Sequence, residues 1–356
     1  MAHITDWMAL ADPNPEWEAV GIEKMSHRSY TDEIQAVKQM GQRPNLGLFP
    51  DIATLRGYII QSKKQMTATA QPVPGVKETN HQVSVRDGST ITVRVYSPEG
   101  KTGCPLVVIF HGGGFCIGGL ENEELLCRRA AGVLGCVVVN VDYRLAPEHP
   151  FPTPVHDCYD ATKWAAANAS SIGADPSKGF IVGGTSAGGN LAVLTALQHR
   201  DDKLSPPITG CHLMIPTVCT SVAVPDKYKA DFRSWDQNEH ADILSRKACE
   251  LFIGNYVPNS EDLKNPLVSP LVWKTGFSSF PNSYFQVCGA DPLRDEALIF
   301  ERLLRVDEKV KTKVDVYQGL PHGFWSIVPT LNVSKKFTDE SLEGVRWLLE
   351  QYFREC

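Results

Sequence analysis

At 356 residues, 42% hydrophobic and 21% charged with a formal net charge of -6, the chain has the make-up of a globular protein with ample core, sized for a single α/β domain with an added cap. The acidic balance excludes a nucleic-acid partner, because no basic excess is available to neutralise phosphates, and no apolar run reaches the roughly 18 residues that span a bilayer, so no membrane partner is expected. Ten scattered cysteines without a CxxC pair exclude a compact disulfide framework and read as the reduced thiols of a cytoplasmic protein.

The N-terminal stretch MAHITDWMALADPNPEWEAV has no basic region followed by an apolar one, so a secretory signal is not expected. Residues 1–75 read as helical and irregular. Ile4, Trp7, Met8 and Ala11 fall on one helical face, suited to packing on the main domain or to lining a pocket. HQVSVRDGSTITVRVYSP alternates apolar and polar residues around Asp87-Gly88, which predicts a β-hairpin. Six short apolar runs follow: PLVVIF (105–110), CVVVNV (136–141), GFIVGG (179–184), CHLMIP (211–216), SYFQVCG (283–289) and TKVDVYQG (312–319). Runs apolar on both faces suit parallel strands covered by helices. An antiparallel start feeding βα repeats predicts a mixed, mostly parallel sheet in a three-layer sandwich. Residues 217–270 break the rhythm with helical stretches and no strand, as a cap inserted at the end of a strand would.

Chemistry collects at the ends of these runs. In GTSAGGN (184–190) Ser186 lies between a strand and the helix AGGNLAVLTALQHR. A strand that turns sharply into a helix lifts a hydroxyl above the sheet edge, and small residues at 184 and 188 permit the close approach. The N–H of Ala187 then opens the helix, ready for a developing oxyanion. HGGGFCIGG (111–119) follows PLVVIF. Its successive glycines leave backbone N–H groups unobstructed, and Gly113 and Gly114 are the expected further oxyanion donors. A phosphate loop would need a Lys-Ser/Thr ending, which is missing. His111 is expected to order this loop. A serine also needs a base. Chain order nucleophile, acid, base selects His322, in GLPHGF after the last strand, over His199 at a helix end, His212 inside a strand and His240 in the insertion. Asp291, directly after SYFQVCG, is the expected acid that holds the histidine tautomer. Asp295 is its rival, one helical turn on, where a capping or surface role is expected. With no HExxH or clustered Cys/His set, no metal or organic cofactor is expected.

HGGGFCIGG, DYRLAPEHPFP (142–152), GTSAGGN, DPLRDE and LPHGF, in that order, closely resemble the hormone-sensitive-lipase-like family of α/β-hydrolases, carboxylesterase type, over roughly residues 75–356. The resemblance implies an α/β-hydrolase fold, a mixed mostly parallel sheet flanked by helices, with a catalytic domain over 76–356. It also implies a helical cap made from the N-terminal segment 1–75 and the insertion at 217–270. It implies a serine esterase that uses Ser186, Asp291 and His322, with Gly113, Gly114 and Ala187 as oxyanion donors and no cofactor. The expected partner is a small-molecule ester or lactone, small to medium and fairly apolar. Phe115, Cys116, Leu120 and Trp235 are the expected pocket residues, with Trp7 from the N-terminal segment. DYRLAPEHPFP reads as scaffold, with an Asp142/Arg144 pair fixing a loop under the site. Thr185 stands where the family often has Asp, which alters local hydrogen bonding. The same scaffold serves acyltransferases, dehydratases and cyclases, and hormone receptors that have lost the histidine. The presence of all three expected catalytic residues argues against a receptor, while no single residue separates hydrolysis from the other reactions of the scaffold.

Overall fold

The computed structural model describes residues 6–20, 45–66 and 73–355; Ile4 lies outside them. β1 (Val76–Ser84) and β2 (Thr90–Pro98) form the antiparallel hairpin, its turn at Asp87-Gly88. Then come β3 (Leu106–Phe110), β4 (Val137–Asp142), β5 (Phe180–Thr185), β6 (Gly210–Met214), β7 (Asn282–Cys288) and β8 (Thr312–Tyr317), paired in parallel. The sheet has eight strands in the order β1-β2-β4-β3-β5-β6-β7-β8. Central strands are buried on both faces, which is why their runs are apolar without alternation. In β3, Leu106, Val108 and Phe110 face one layer of the core, while Val107 and Ile109 face the other.

Helices cover both faces. α2 (Glu124–Leu134) and α7 (Asn332–Glu355) meet Val107 and Ile109 through Cys127, Ala131, Val345 and Leu348. On the opposite face lie α3 (Thr153–Ala167), α4 (Ala187–Asp201) and α6 (Arg294–Arg302). β3 sits between β4 and β5, so the connections leaving β3 and β5 diverge to opposite faces. That opens a crevice at the carboxyl ends of these two strands, where open α/β sheets bind ligands. Register sets the site's height: Phe110 pairs with Gly184, so the glycine loop after β3 emerges level with Ser186.

The insertion between β6 and β7 carries α5 (Arg246–Tyr256) and short helical turns. N-terminal residues pack on it. Leu46 N–H donates to Ile243 O at 2.8 Å, and Asn45 Nδ2 to Ala241 O at 2.8 Å. α1 (Ile52–Met66) lies close by, and Arg56 Nε donates to Cys116 O at 2.7 Å. The first described stretch, residues 6–20, holds a 3-10 turn at Met8–Ala11 and a helical turn at Pro15–Glu18 rather than one longer helix. Among the described residues no helix is long and apolar enough to cross a membrane.

One expected pairing is replaced. Arg144 is held not by Asp142 but by Asp157, to which it is bidentate at 2.7 and 2.9 Å, and by Asp87 at 2.8 Å. Asp142 closes β4, whereas Asp157 reaches Arg144 from α3 and Asp87 from the hairpin turn. Arg144 still ties its loop down, to two elements instead of to its own strand.

Candidate active site

Ser186 sits at φ 56°, ψ -114°, between β5 and the first turn of α4. This sparsely populated conformation is sustained from both sides. Ser186 N–H donates to Met214 O at 2.8 Å, and the start of α4 presses onto β3 so tightly that a Cβ at Gly188 would lie 2.0 Å from Phe110 O. A glycine at 188 is thus the sequence feature that lets the strand turn here.

Ser186 Oγ lies 3.0 Å from His322 Nε2, and His322 Nδ1 lies 2.6 Å from Asp291 Oδ2. The three residues come from the ends of β5, β8 and β7, and all are buried. A carboxylate can only accept, so Nδ1 carries the proton and Nε2 is left to accept from the serine hydroxyl. Asp291 is held in turn by Leu293 N–H, which donates to its Oδ1 at 2.9 Å, and by Asn238 Nδ2, which donates to its backbone oxygen at 3.0 Å.

Above Ser186 the glycine loop turns through Gly113 at φ 125° and Gly114 at φ 57°. A Cβ at Gly113 would lie 2.1 Å from Ile117 O. Gly113 O accepts from both Cys116 N–H and Ile117 N–H at 3.0 Å, closing the loop on itself. No carbonyl or side chain among the described residues accepts from the N–H of Gly113, Gly114 or Ala187. His111 is buried beneath the loop, its ring stacked on Tyr143 with centroids 4.2 Å apart, and Tyr143 Oη donates to His111 O at 2.9 Å. Both contacts fit an ordering role.

Ser186 and His322 open onto a cavity of about 860 Å³. Its walls are mostly apolar, with Tyr58 and Ile59 from α1, Phe252 and Ile253 from α5, and Phe115 and Trp235 among the expected pocket residues. Phe115 stacks on Tyr256 at 3.8 Å between centroids. Cys116 and Leu120 are buried behind the wall. Cys116 Sγ lies 3.7 Å from Phe252 O, and Leu120 O accepts from Asn140 Nδ2 at 2.7 Å. Trp7 is also off the cavity, under Arg302 with the guanidinium 5.1 Å from its ring centre. Thr185 lines the cavity floor, its hydroxyl 3.9 Å from Met214 Sδ.

Asp295 does not join this group. It is fully buried, accepts from Arg233 N–H at 2.7 Å and Ser234 N–H at 2.6 Å, and pairs with Arg294 at 2.7 Å. It caps a helical turn of the insertion (Ser234–Gln237), not its own helix, and it is not at the surface. The neighbouring Glu296 was not singled out by its sequence. It lines the cavity and accepts from Val218 N–H at 2.8 Å. Burial pushes its carboxyl up to about 8, helped by the nearby Asp291 charge and opposed by hydrogen bonds from Thr217, Val218 and Cys219. The acidic pair Asp295-Glu296 was visible in DPLRDE, but not which member would face the cavity.

A family model described as alpha/beta hydrolase fold matches residues 107–326. The chain is 39% identical over 276 residues to a versiconal hemiacetal acetate esterase of Dothistroma septosporum, covering 76% of this chain and 82% of that one. It is 37% identical over 308 residues to an AB hydrolase superfamily protein of Schizosaccharomyces pombe, covering 86% and 90%. Among solved structures it is similar to vibralactone cyclase, with a TM-score of 0.84, 31% identity and 97% of each chain covered.

Proposed function

The chain belongs to the α/β-hydrolase family and is a carboxylic ester hydrolase, and we propose that it works as a serine esterase through an acyl-enzyme on Ser186. The observation that carries this reading is the hydrogen-bonded chain Ser186–His322–Asp291, at 3.0 and 2.6 Å, facing a largely apolar cavity. Ser186 Oγ adds to the ester carbonyl carbon while its proton passes to His322 Nε2. The N–H groups of Gly113, Gly114 and Ala187 hold the resulting oxyanion, where the loss of one donor typically costs about 3–4 kcal/mol of barrier. Asp291 stabilises the imidazolium. The bond to the alcohol oxygen breaks as that oxygen takes the proton from Nε2. Water then adds to the acyl carbon, giving its proton to Nε2. The bond to Ser186 breaks, the acid leaves, and the proton returns to Oγ.

The substrate class is a neutral ester or lactone of small to medium size, matched to the cavity's volume and apolar walls. Phe115 and Trp235 are proposed to contact it. We assign the N-terminal segment and the insertion to a common cap, on the strength of their hydrogen bonds and their shared share of the cavity wall.

Ser186→Ala tests the reading. Turnover of p-nitrophenyl esters should fall by on the order of 10⁴-fold or more with the melting temperature little changed. A serine-reactive organophosphate should label the parent once, at Ser186. A variant keeping a tenth of the parent's activity, or an adduct found only elsewhere, would refute the assignment. Intramolecular acyl transfer is the second reading, supported by the likeness to a cyclase over nearly the whole chain. Turnover in ¹⁸O-labelled water separates the two, since hydrolysis puts the label into the acid and cyclisation leaves the product unlabelled.

A further inference from the structure

The loops that carry Asp291 and His322 leave neighbouring strands, β7 and β8, and each has a glycine shortly before its functional residue: Gly289 and Gly319. The chain's first described segment is seated on both. Leu10 O accepts Gly319 N–H at 2.7 Å, and it lies so close to the other loop that a Cβ at Gly289 would be 1.8 Å from it. Gly319, at φ +66°, is packed as tightly, since a Cβ there would be 2.1 Å from Asp12 O and 2.5 Å from Asn14 N. Side chains add grips in both directions. Asn14 Nδ2 donates to Gln318 O at 3.2 Å, and Gln318 Nε2 donates to Ala9 O at 3.2 Å. Beneath the segment the two loops are tied to each other: Gly289 N–H donates to Tyr317 O at 2.8 Å and Ala290 N–H to Leu320 O at 3.1 Å.

The segment is itself anchored further on. Asn14 Oδ1 accepts from Glu16 N–H at 3.0 Å and Trp17 N–H at 3.3 Å, capping the turn that follows. Glu16 Oε2 accepts from Asn332 N–H at 3.1 Å, at the start of α7. The Trp17 ring is buried against the cluster that holds Leu320 and Phe324, and its Nε1 donates to Asp242 Oδ2 in the insertion at 2.9 Å. Among the described residues, none from 8 to 17 lines the cavity.

We propose that residues 8–17 form a clamp that holds the Asp291 and His322 loops in register, with Leu10 and Asn14 as its positioning residues. The proposal rests on the assignment of Ser186, Asp291 and His322 above. A hydrogen-bonded chain of three side chains from three strand ends works only if those ends stay fixed relative to one another, and a misplacement of about 1 Å can cost about 100-fold in rate. The clamp touches two of the three ends through backbone atoms, so it sets the His322–Asp291 geometry without touching substrate. This gives the N-terminal segment two separate tasks. Leu46, Tyr58 and Ile59 contribute to the cavity wall, and residues 8–17 serve the rate of bond cleavage.

The test uses the full-length chain with Gly289→Ala, Gly319→Ala, Asn14→Asp and Asn14→Ser, beside Ser186→Ala and the parent. Asn14→Asp keeps the capping acceptor but sets an oxygen against Gln318 O. Asn14→Ser keeps the cap and merely loses the grip. Measured are kcat and KM on p-nitrophenyl butyrate, the pH profile of kcat/KM, the rate of phosphorylation by diethyl p-nitrophenyl phosphate, and the melting temperature. The glycine variants are expected to lose about 10- to 100-fold in kcat with KM within about twofold, and Asn14→Asp about 10-fold, with phosphorylation slowed in parallel and the acid limb of the profile displaced. Asn14→Ser should lie between Asn14→Asp and the parent. Variants that are folded at the assay temperature, with kcat and phosphorylation within twofold of the parent, overturn the clamp, as does an effect confined to KM. If the glycine variants do not fold, the two Asn14 variants decide by the same criteria. An active Ser186→Ala would instead sink the catalytic assignment itself, so the two failures are distinguishable.

Discussion

Asp291 and Asp295 are both buried carboxylates on the same short stretch, yet their partners differ in kind. Asp291 faces an imidazole at 2.6 Å, whereas Asp295 faces a guanidinium and two backbone N–H groups. On the proposed mechanism, Asp291→Asn should lower kcat by about 10⁴-fold through the wrong histidine tautomer, with a modest change in melting temperature. Asp295→Asn should do the reverse, since leaving Arg294 buried and unpaired costs about 3–5 kcal/mol of stability. Measuring kcat and melting temperature on both variants checks the split, and a larger kcat loss for Asp295→Asn would reverse the assignment. Glu296 gives a pH signature. Its carboxyl titrates at about 8 in the folded protein, against 4.5 as the ordinary value. The folded state therefore holds a proton that the unfolded chain releases, so the group's contribution is fully present below 4.5 and is lost as pH rises through about 8. Glu296→Gln should become steadily more stable relative to the parent from about pH 4.5 to about pH 8, by several kcal/mol at most, and the difference should level off above that. A melting-temperature difference independent of pH would count against it.

At the scale of elements, the two tryptophans expected at a common pocket have separate surroundings. Trp235 lies on the insertion at the cavity wall, with Arg246 5.6 Å from its ring centre. Trp7 lies outside the cavity and bridges the N-terminal turn to α6 through Arg302. Trp235→Ala should therefore change the ratio of rates between a short and a bulky p-nitrophenyl ester by severalfold. Trp7→Ala should lower the melting temperature by a few degrees, corresponding to about 1 kcal/mol, and leave that ratio as it is. A shifted ratio in Trp7→Ala with unchanged stability would restore the pocket role. The insertion is fixed where it must be. Asp295 caps its turn at Ser234, Asn238 bonds the Asp291 backbone, and the Phe252 ring fills the space a Cβ at Gly114 would occupy.

For the molecule as a whole, the net charge of -6 is echoed at the cavity. Glu121, Glu123, Glu124 and Glu250 contribute to its lining beside Glu296, which burial keeps protonated at neutral pH; Glu124 is paired with Arg128 at 3.0 Å, and the single described arginine of the lining, Arg129, is paired with Asp339 at 2.7 Å. Glu250 is exposed at the rim, so its field is long-ranged at low salt and screened at high salt. An ester bearing a carboxylate on its acyl chain, such as mono-p-nitrophenyl succinate, should be a poorer substrate than its neutral methyl ester. The gap in kcat/KM should be about 10-fold at low ionic strength and should narrow as salt is added. Equal rates at low salt, or a gap indifferent to salt, would remove the electrostatic explanation.

Much of the architecture is local and was legible in the sequence. Doubly buried strands must be largely apolar, so β3 to β7 announce themselves as runs, while β8, at the sheet edge, alternates apolar with polar residues. The Asp87-Gly88 turn marks the hairpin, and glycines flanking Ser186 mark a place where strand and helix must touch. Chain order then points to Asp291 and His322, because each loop follows a strand that can be recognised. Side-chain direction and long-range partnership are decided elsewhere. Phe115 and Cys116 are adjacent in sequence, but the loop's positive φ at Phe115 turns one ring to the cavity and leaves the thiol behind it. Arg144 chose carboxylates from α3 and the hairpin over the one beside it. Glu296 faces the cavity only because α6 is rotated so by its packing on β7. The seat of residues 8–14 on Gly289 and Gly319 joins positions some 300 apart, and neither periodicity nor turn chemistry carries information over that distance. Those properties describe a chain's neighbours in sequence, whereas these contacts exist only once the sheet has assembled and brought its strand ends side by side.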